Sequence, residues 1–148
     1  MQELPHHYAV KASAVADSNV LLESPGLESL TTAGPAEFGG PGDLWSPETL
    51  LVAAVADCFI LSFRAIARAS KMEWISLSCD AVGDLDKIDK VTQFTGFRLR
   101  VRLEVPEGLR EGKAERLLEK AEKHCLITNS MKAGSTLDYE VIVRDTAA

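Results

Sequence analysis

Cysteine is scarce in this sequence, with three residues in 148 and no pair spaced as CxxC. An odd, widely spaced set excludes the stapled framework of a small secreted domain. Histidine is as scarce, also at three. His6 and His7 are adjacent and would point to opposite sides of an extended chain. Together with Cys58, Cys79, His124 and Cys125 they show none of the short paired spacings of a structural zinc site, so no metal or other cofactor is expected. Positive charge is in deficit, with 16 Lys and Arg against 22 Asp and Glu and a net charge of -6. That balance disfavours nucleic acid and anionic membranes as partners, since both select clustered cations. A basic segment followed by an apolar run is missing from Met1 to Val10, so no secretory leader is expected. The longest apolar stretch, Thr49 to Phe63, contains Asp57 and stops at Arg64, which makes it too short to span a bilayer. The expectation is a soluble, cytoplasmic protein with one domain over residues 1–148.

The patterning that is present predicts an α+β chain with antiparallel strands. His6 to Val15 and Val20 to Glu23 read as strands joined by a turn at Ala16 to Asn19, with a weaker strand at Leu27 to Thr32. Gly34 to Asp43 carries too many breakers for any regular element. Ser46 then suits a helix N-cap, Pro47 the first helical position and Glu48 the positive helix end. The segment Thr49 to Ala69 is apolar nearly all round for its first four turns, which predicts a central helix surrounded by protein. One small domain can barely cover it, so a partner subunit is expected. Ile75, Leu77, Cys79 and Ala81 alternate with polar residues, as do Phe97, Leu99, Val101, Leu103 and Val105. A bend is expected at Gly83 to Lys90, a second helix at Arg110 to His124, a helical piece at Thr128 to Lys132, and a closing strand at Leu137 to Arg144.

The residues alone leave the chemistry open. A free cysteine in mid-helix, such as Cys58, is more often a small core residue than a nucleophile, and an ionised Asp57 beside it would oppose thiolate formation. Cys79 sits on an apolar strand face and reads as core. Cys125 ends a helix before polar Thr128, Asn129 and Ser130, a less usual place for packing. A Cys-His-acid hydrolase would have to use His124, and no local cysteine-protease signature is present.

Two longer motifs carry a resemblance. Ser46-Pro47-Glu48-Thr49-Leu50-Leu51-Val52-Ala53-Ala54, followed by Asp57-Cys58-Phe59, is similar to the signature of the OsmC/Ohr family (osmotically inducible protein and organic hydroperoxide resistance). There the reactive cysteine follows the glutamate by ten residues, as Cys58 follows Glu48. The second motif is a helix ending in Cys125, a polar turn and a final strand reached at Thr136-Leu137-Asp138-Tyr139. The resemblance spans about residues 34–144. It implies antiparallel sheets wrapped around a long buried helix in an intertwined homodimer. It also implies reduction of organic hydroperoxides, with Cys58 the peroxidatic thiolate, Cys125 the resolving thiol, Glu48 part of the active-site polar network and an external dithiol as reductant. The family's hydroperoxidases pair an N-terminal arginine with that glutamate. This chain has no arginine before Arg64, and Lys11 is the only cation in its first 63 residues. Either Lys11, Arg64 or Arg68 substitutes, or Cys58 is a weaker nucleophile than in the family's efficient peroxidases. Asp57 and Leu126 also depart from the family pattern, which places the chain with the OsmC-like relatives outside the typical Ohr branch. The rival expectations are a dimeric binding module without efficient chemistry, and a thiol redox sensor on the same fold.

Overall fold

The structure is a computed structural model, and it describes residues 1–145. The chain forms two compact units, Met1–Leu50 and a second that begins at Leu51.

The first unit is a three-stranded antiparallel meander of β1 (Lys11–Ser13), β2 (Val20–Glu23) and β3 (Leu30–Thr32). The strand expected from His6 is shorter than its alternation suggests, because the ladder with β2 covers only Lys11, Ala12 and Ser13. Ser18 closes the first turn, its hydroxyl accepting from the Val15 amide at 3.0 Å. The Gly- and Pro-rich loop holds one 3₁₀ turn, Ala36–Phe38, and returns the chain so that the Ala33 amide donates to the Trp45 carbonyl at 3.0 Å. Helix α1 (Pro47–Ala69) starts where the sequence predicts. Ser46 is 2% exposed, and its hydroxyl accepts from the Thr49 amide at 3.1 Å. Thr49 Oγ1 accepts in turn from the Ser46 amide at 2.8 Å, a reciprocal cap that ties the loop to the first helical turn.

In the second unit β4 (Ser76–Ile88) and β5 (Val91–Pro106) form a long antiparallel hairpin. The bend expected at Gly83 to Lys90 is instead strand as far as Ile88. Only Asp89 and Lys90 turn, both at positive φ (49° and 69°), a two-residue connection whose twist matches the flanking strands. The register shift at Asp84/Leu85 absorbs the irregular patterning there. Helices α2 (Lys113–Lys123) and α3 (Leu126–Asn129) lead to β6 (Gly134–Arg144). Here the expectation of purely antiparallel sheets fails: β6 runs parallel to β5, from Gly96↔Gly134 to Pro106↔Arg144. The reason is the intervening crossover, since two helices carry the chain back to the starting end of β5.

Strand alternation sends Phe97, Leu99, Val101, Leu103 and Val105 inward and Arg98, Arg100 and Arg102 to the wet face. The inward set meets Val55, Phe59, Phe63 and Ala67 of α1 and Ala114, Leu117, Leu118 and Ala121 of α2 in one core. Each fully buried side chain such as Phe59 or Phe63 contributes about 1.5–3 kcal/mol of transfer free energy. Gly83 is required where β4 passes α1: a Cβ there would lie 2.7 Å from Val52 Cγ2 and 2.8 Å from Phe94 Cε1. Lys113 Nζ donates to the Ser70 carbonyl at 3.1 Å, so the first residue of α2 satisfies a carbonyl just past the end of α1.

The central helix is not surrounded within one protomer. Only the stripe Val55, Phe59, Phe63, Ala67 is fully buried, and Leu61 is 50% exposed. Nor is it short: it runs past Arg64 to Ala69, and by length and composition alone it could cross a membrane. A stripe at i, i+4, i+8 and i+12 packed on a sheet is also the pattern of a core helix.

Candidate active site

Cys58 lies on the fourth turn of α1, one residue before the buried stripe position Phe59. Its sulfur is therefore half-buried at the edge of the core and not sealed within it. Cys125 arrives from the other side. It ends α2 through its amide, which donates to the Glu122 carbonyl at 3.4 Å, and it is the N-cap residue of α3. Its carbonyl accepts from the Asn129 amide at 3.0 Å and from Thr128 Oγ1 at 3.2 Å. Ser130 Oγ donates to the Leu126 carbonyl at 2.8 Å. These bonds hold a four-residue helix that would be marginal alone, and they fix Cys125 at 2% exposure.

Both cysteines are free thiols, and the Cys125 thiol is near enough to Cys58 to be among the groups that favour its ionised form. Burial works against a thiolate at Cys58. The Ile127 amide, the Cys125 thiol, the Ser62 hydroxyl and the Leu126 amide outweigh it and hold the Cys58 pKa below the ordinary thiol value. All four are neutral donors. Arg64 and Arg68 are exposed and are not among the groups that favour the thiolate, which excludes them as same-chain substitutes for the family arginine. The expected opposition from Asp57 is absent: that carboxylate is exposed and is not among the groups that act on the Cys58 thiol. Ser62, one turn beyond Cys58 with Oγ 3.8 Å from Sγ, was not singled out by the motifs. Its signal was present: a lone serine four residues after the cysteine in an apolar helix.

Cys79 behaves differently. Burial, then the charges of Asp80 and Cys125, push its thiol up to about 11. At neutral pH only about one molecule in ten thousand would carry a Cys79 thiolate. Glu48, in the first unit, is half-buried, and its Oε2 is shielded from solvent with no hydrogen-bond partner among the described residues. His124 is exposed at the end of α2. Among the described residues no three His, Cys, Asp or Glu side chains converge on a possible metal position.

The arrangement can support thiol chemistry: a thiol eased toward its thiolate, with a second free thiol close by. Comparison with known proteins places the chain in a family. The chain is 25% identical over 144 residues to the uncharacterized protein YmaD of Bacillus subtilis, covering 94% of this chain and 95% of that one. It is 29% identical over 96 residues to peroxiredoxin OsmC of Escherichia coli, covering 65% and 66% respectively. An OsmC-like protein of unknown function from Vibrio cholerae superposes with a TM-score of 0.82 at 21% identity, over 92% of this chain and 100% of the other. An organic hydroperoxide resistance protein OsmC from Legionella pneumophila does so at 0.72 and 28% identity, over 94% and 100%. Residues 40–140, which hold the helix start, both cysteines of the pair and most of the second sheet, match the OsmC-like protein profile, and the chain belongs to that family.

Proposed function

We propose that this protein reduces organic hydroperoxides with Cys58 as the peroxidatic thiol and Cys125 as the resolving thiol. The observation that carries the reading is a pair of free thiols in which Cys125 helps to favour the ionised form of Cys58. The distant relationship to a peroxiredoxin supports it. The Cys58 thiolate attacks the terminal peroxide oxygen and the O–O bond breaks. The alkoxide takes up a proton and leaves as the alcohol, and Cys58 becomes a sulfenic acid. Cys125 gives up its proton and attacks the Cys58 sulfur, water leaves, and a disulfide forms. A cytoplasmic dithiol then reduces that disulfide by exchange and is itself oxidised. Glu48 keeps the role the family motif implies for it, and its unpartnered oxygen is available to a donor.

One equivalent of an organic hydroperoxide should remove two thiols per chain and leave a Cys58–Cys125 link in the peptide map, with Cys79 still reduced. Persistence of both thiols would turn the reading toward a binding module. Slow peroxide turnover with fast disulfide exchange would turn it toward a redox sensor.

The active protein is a homodimer of single OsmC-like domains spanning residues 1–148. A long apolar helix with only one stripe covered, and Leu61 half exposed, supports a second copy against its open side. Sedimentation at micromolar concentration should give twice the mass of the chain. A species of one chain's mass would overturn the dimer.

A further inference from the structure

Ser62 sits in an awkward place for a serine. It is flanked by Phe59, Ile60, Leu61 and Phe63 on α1, and it is half-buried, so its hydroxyl carries a desolvation cost unless it finds a partner. A mid-helix serine usually returns its hydroxyl to the carbonyl four residues back, here that of Cys58 itself. Instead its side-chain hydrogen bond is to the Cys58 sulfur, Oγ to Sγ 3.8 Å, with the two side chains one above the other on one helix face. Both residues belong to the same rigid helix, so this contact does not depend on the loop that carries Cys125.

We infer that Ser62 is part of the reacting centre: its hydroxyl donates to the Cys58 thiolate and orients the sulfur, doing in part with a dipole what a guanidinium does in relatives that have one. The inference rests on Cys58 being the reacting sulfur. The bond favours the ionised form because a hydrogen bond to a charged acceptor is stronger than one to a neutral thiol. The same hydroxyl is among the groups that hold the Cys58 pKa down. The Cys125 thiol and the amides of Ile127 and Leu126 are the others, and all three come from the segment that carries the resolving thiol. Of these four groups, Ser62 alone shares the helix of Cys58. Once Cys58 is in a disulfide its sulfur has no charge, and the hydroxyl is free until exchange restores the thiolate.

Ser62→Ala and Ser62→Thr test this in the full-length protein. Alanine is a better helix former than serine, so α1 is not threatened, and threonine restores a hydroxyl. The readout is the rate of Cys58 alkylation by iodoacetamide against pH, resolved from Cys79 and Cys125 by peptide mapping. In Ser62→Ala the profile should move to higher pH and the rate at neutral pH should fall about threefold to tenfold. At alkaline pH, with Cys58 ionised in both proteins, the two rates should converge. Ser62→Thr should regain most of the loss. Coincident profiles for the parent and Ser62→Ala would overturn the inference, even if hydroperoxide reduction proceeds. A shifted profile in a protein that ignores hydroperoxide would leave Ser62 its role and remove the peroxidase reading, so the two failures are distinct.

Discussion

Cys58→Ser should lose hydroperoxide consumption by about a thousandfold or more, because an alcohol at that position has no accessible anion and is a far weaker nucleophile toward oxygen. Cys125→Ser should behave differently. It keeps the nucleophile, so one equivalent of peroxide is still consumed, but the product stops at the Cys58 sulfenic acid, which a sulfenate-trapping dione would label. The pH dependence separates the variants further. Cys58 is held below the ordinary thiol value, so the rate of the first step in the parent should rise with pH and level off before a free thiol would. Cys125→Ser removes the thiol that bonds to Cys58 and leaves a longer-range hydroxyl in its place, so its plateau should be reached at higher pH. If Cys58→Ser consumes peroxide as fast as the parent, another group does the chemistry. Cys79 is a poor candidate, since a thiol pushed up to about 11 is almost wholly protonated near neutrality.

Phe59→Ala should lower stability by about 3–5 kcal/mol, the usual cost of deleting a buried aromatic ring together with the cavity it leaves. Phe59 is fully buried in the cluster that joins α1 to β5 and α2. The residue also neighbours Cys58, so partial collapse of the cavity should disturb the sulfur as well as the fold. Denaturant unfolding with an unchanged m-value would give the loss directly. A change below about 1 kcal/mol would mean that this face of α1 is not packed as described.

Much of this architecture was legible in the residues. Ser46, Pro47 and Glu48 marked the start of α1 because capping is local chemistry, and the alternation of Phe97 to Val105 marked β5 because one of its faces is wet. What failed needed information from outside the local window. The direction of β6 depends on a crossover that Leu137 to Arg144 do not encode, and the true length of the hairpin depends on the positive-φ turn at Asp89 and Lys90 within a stretch that looked like a loop. The all-round apolar run of α1 shows that the helix needs cover but not what supplies it: within one chain only Val55, Phe59, Phe63 and Ala67 are fully buried. For the site, the motifs singled out Cys58 and Cys125, and the Cys125 thiol is among the groups that favour the Cys58 thiolate. The surrounding donors stayed hidden, because the amides of Leu126 and Ile127 have no side-chain signature and Ser62 has no motif to announce it.

Because Cys125 rides on the crossover between two parallel strands, the second sulfur is the last to arrive. During synthesis Cys58 and Cys79 leave the ribosome ahead of it, and Gly134–Arg144, which pairs along β5, follows last. On the proposed reading, a half-made chain that meets an oxidant therefore holds Cys58 without Cys125. The couple exists only once the chain is long enough to return to β5.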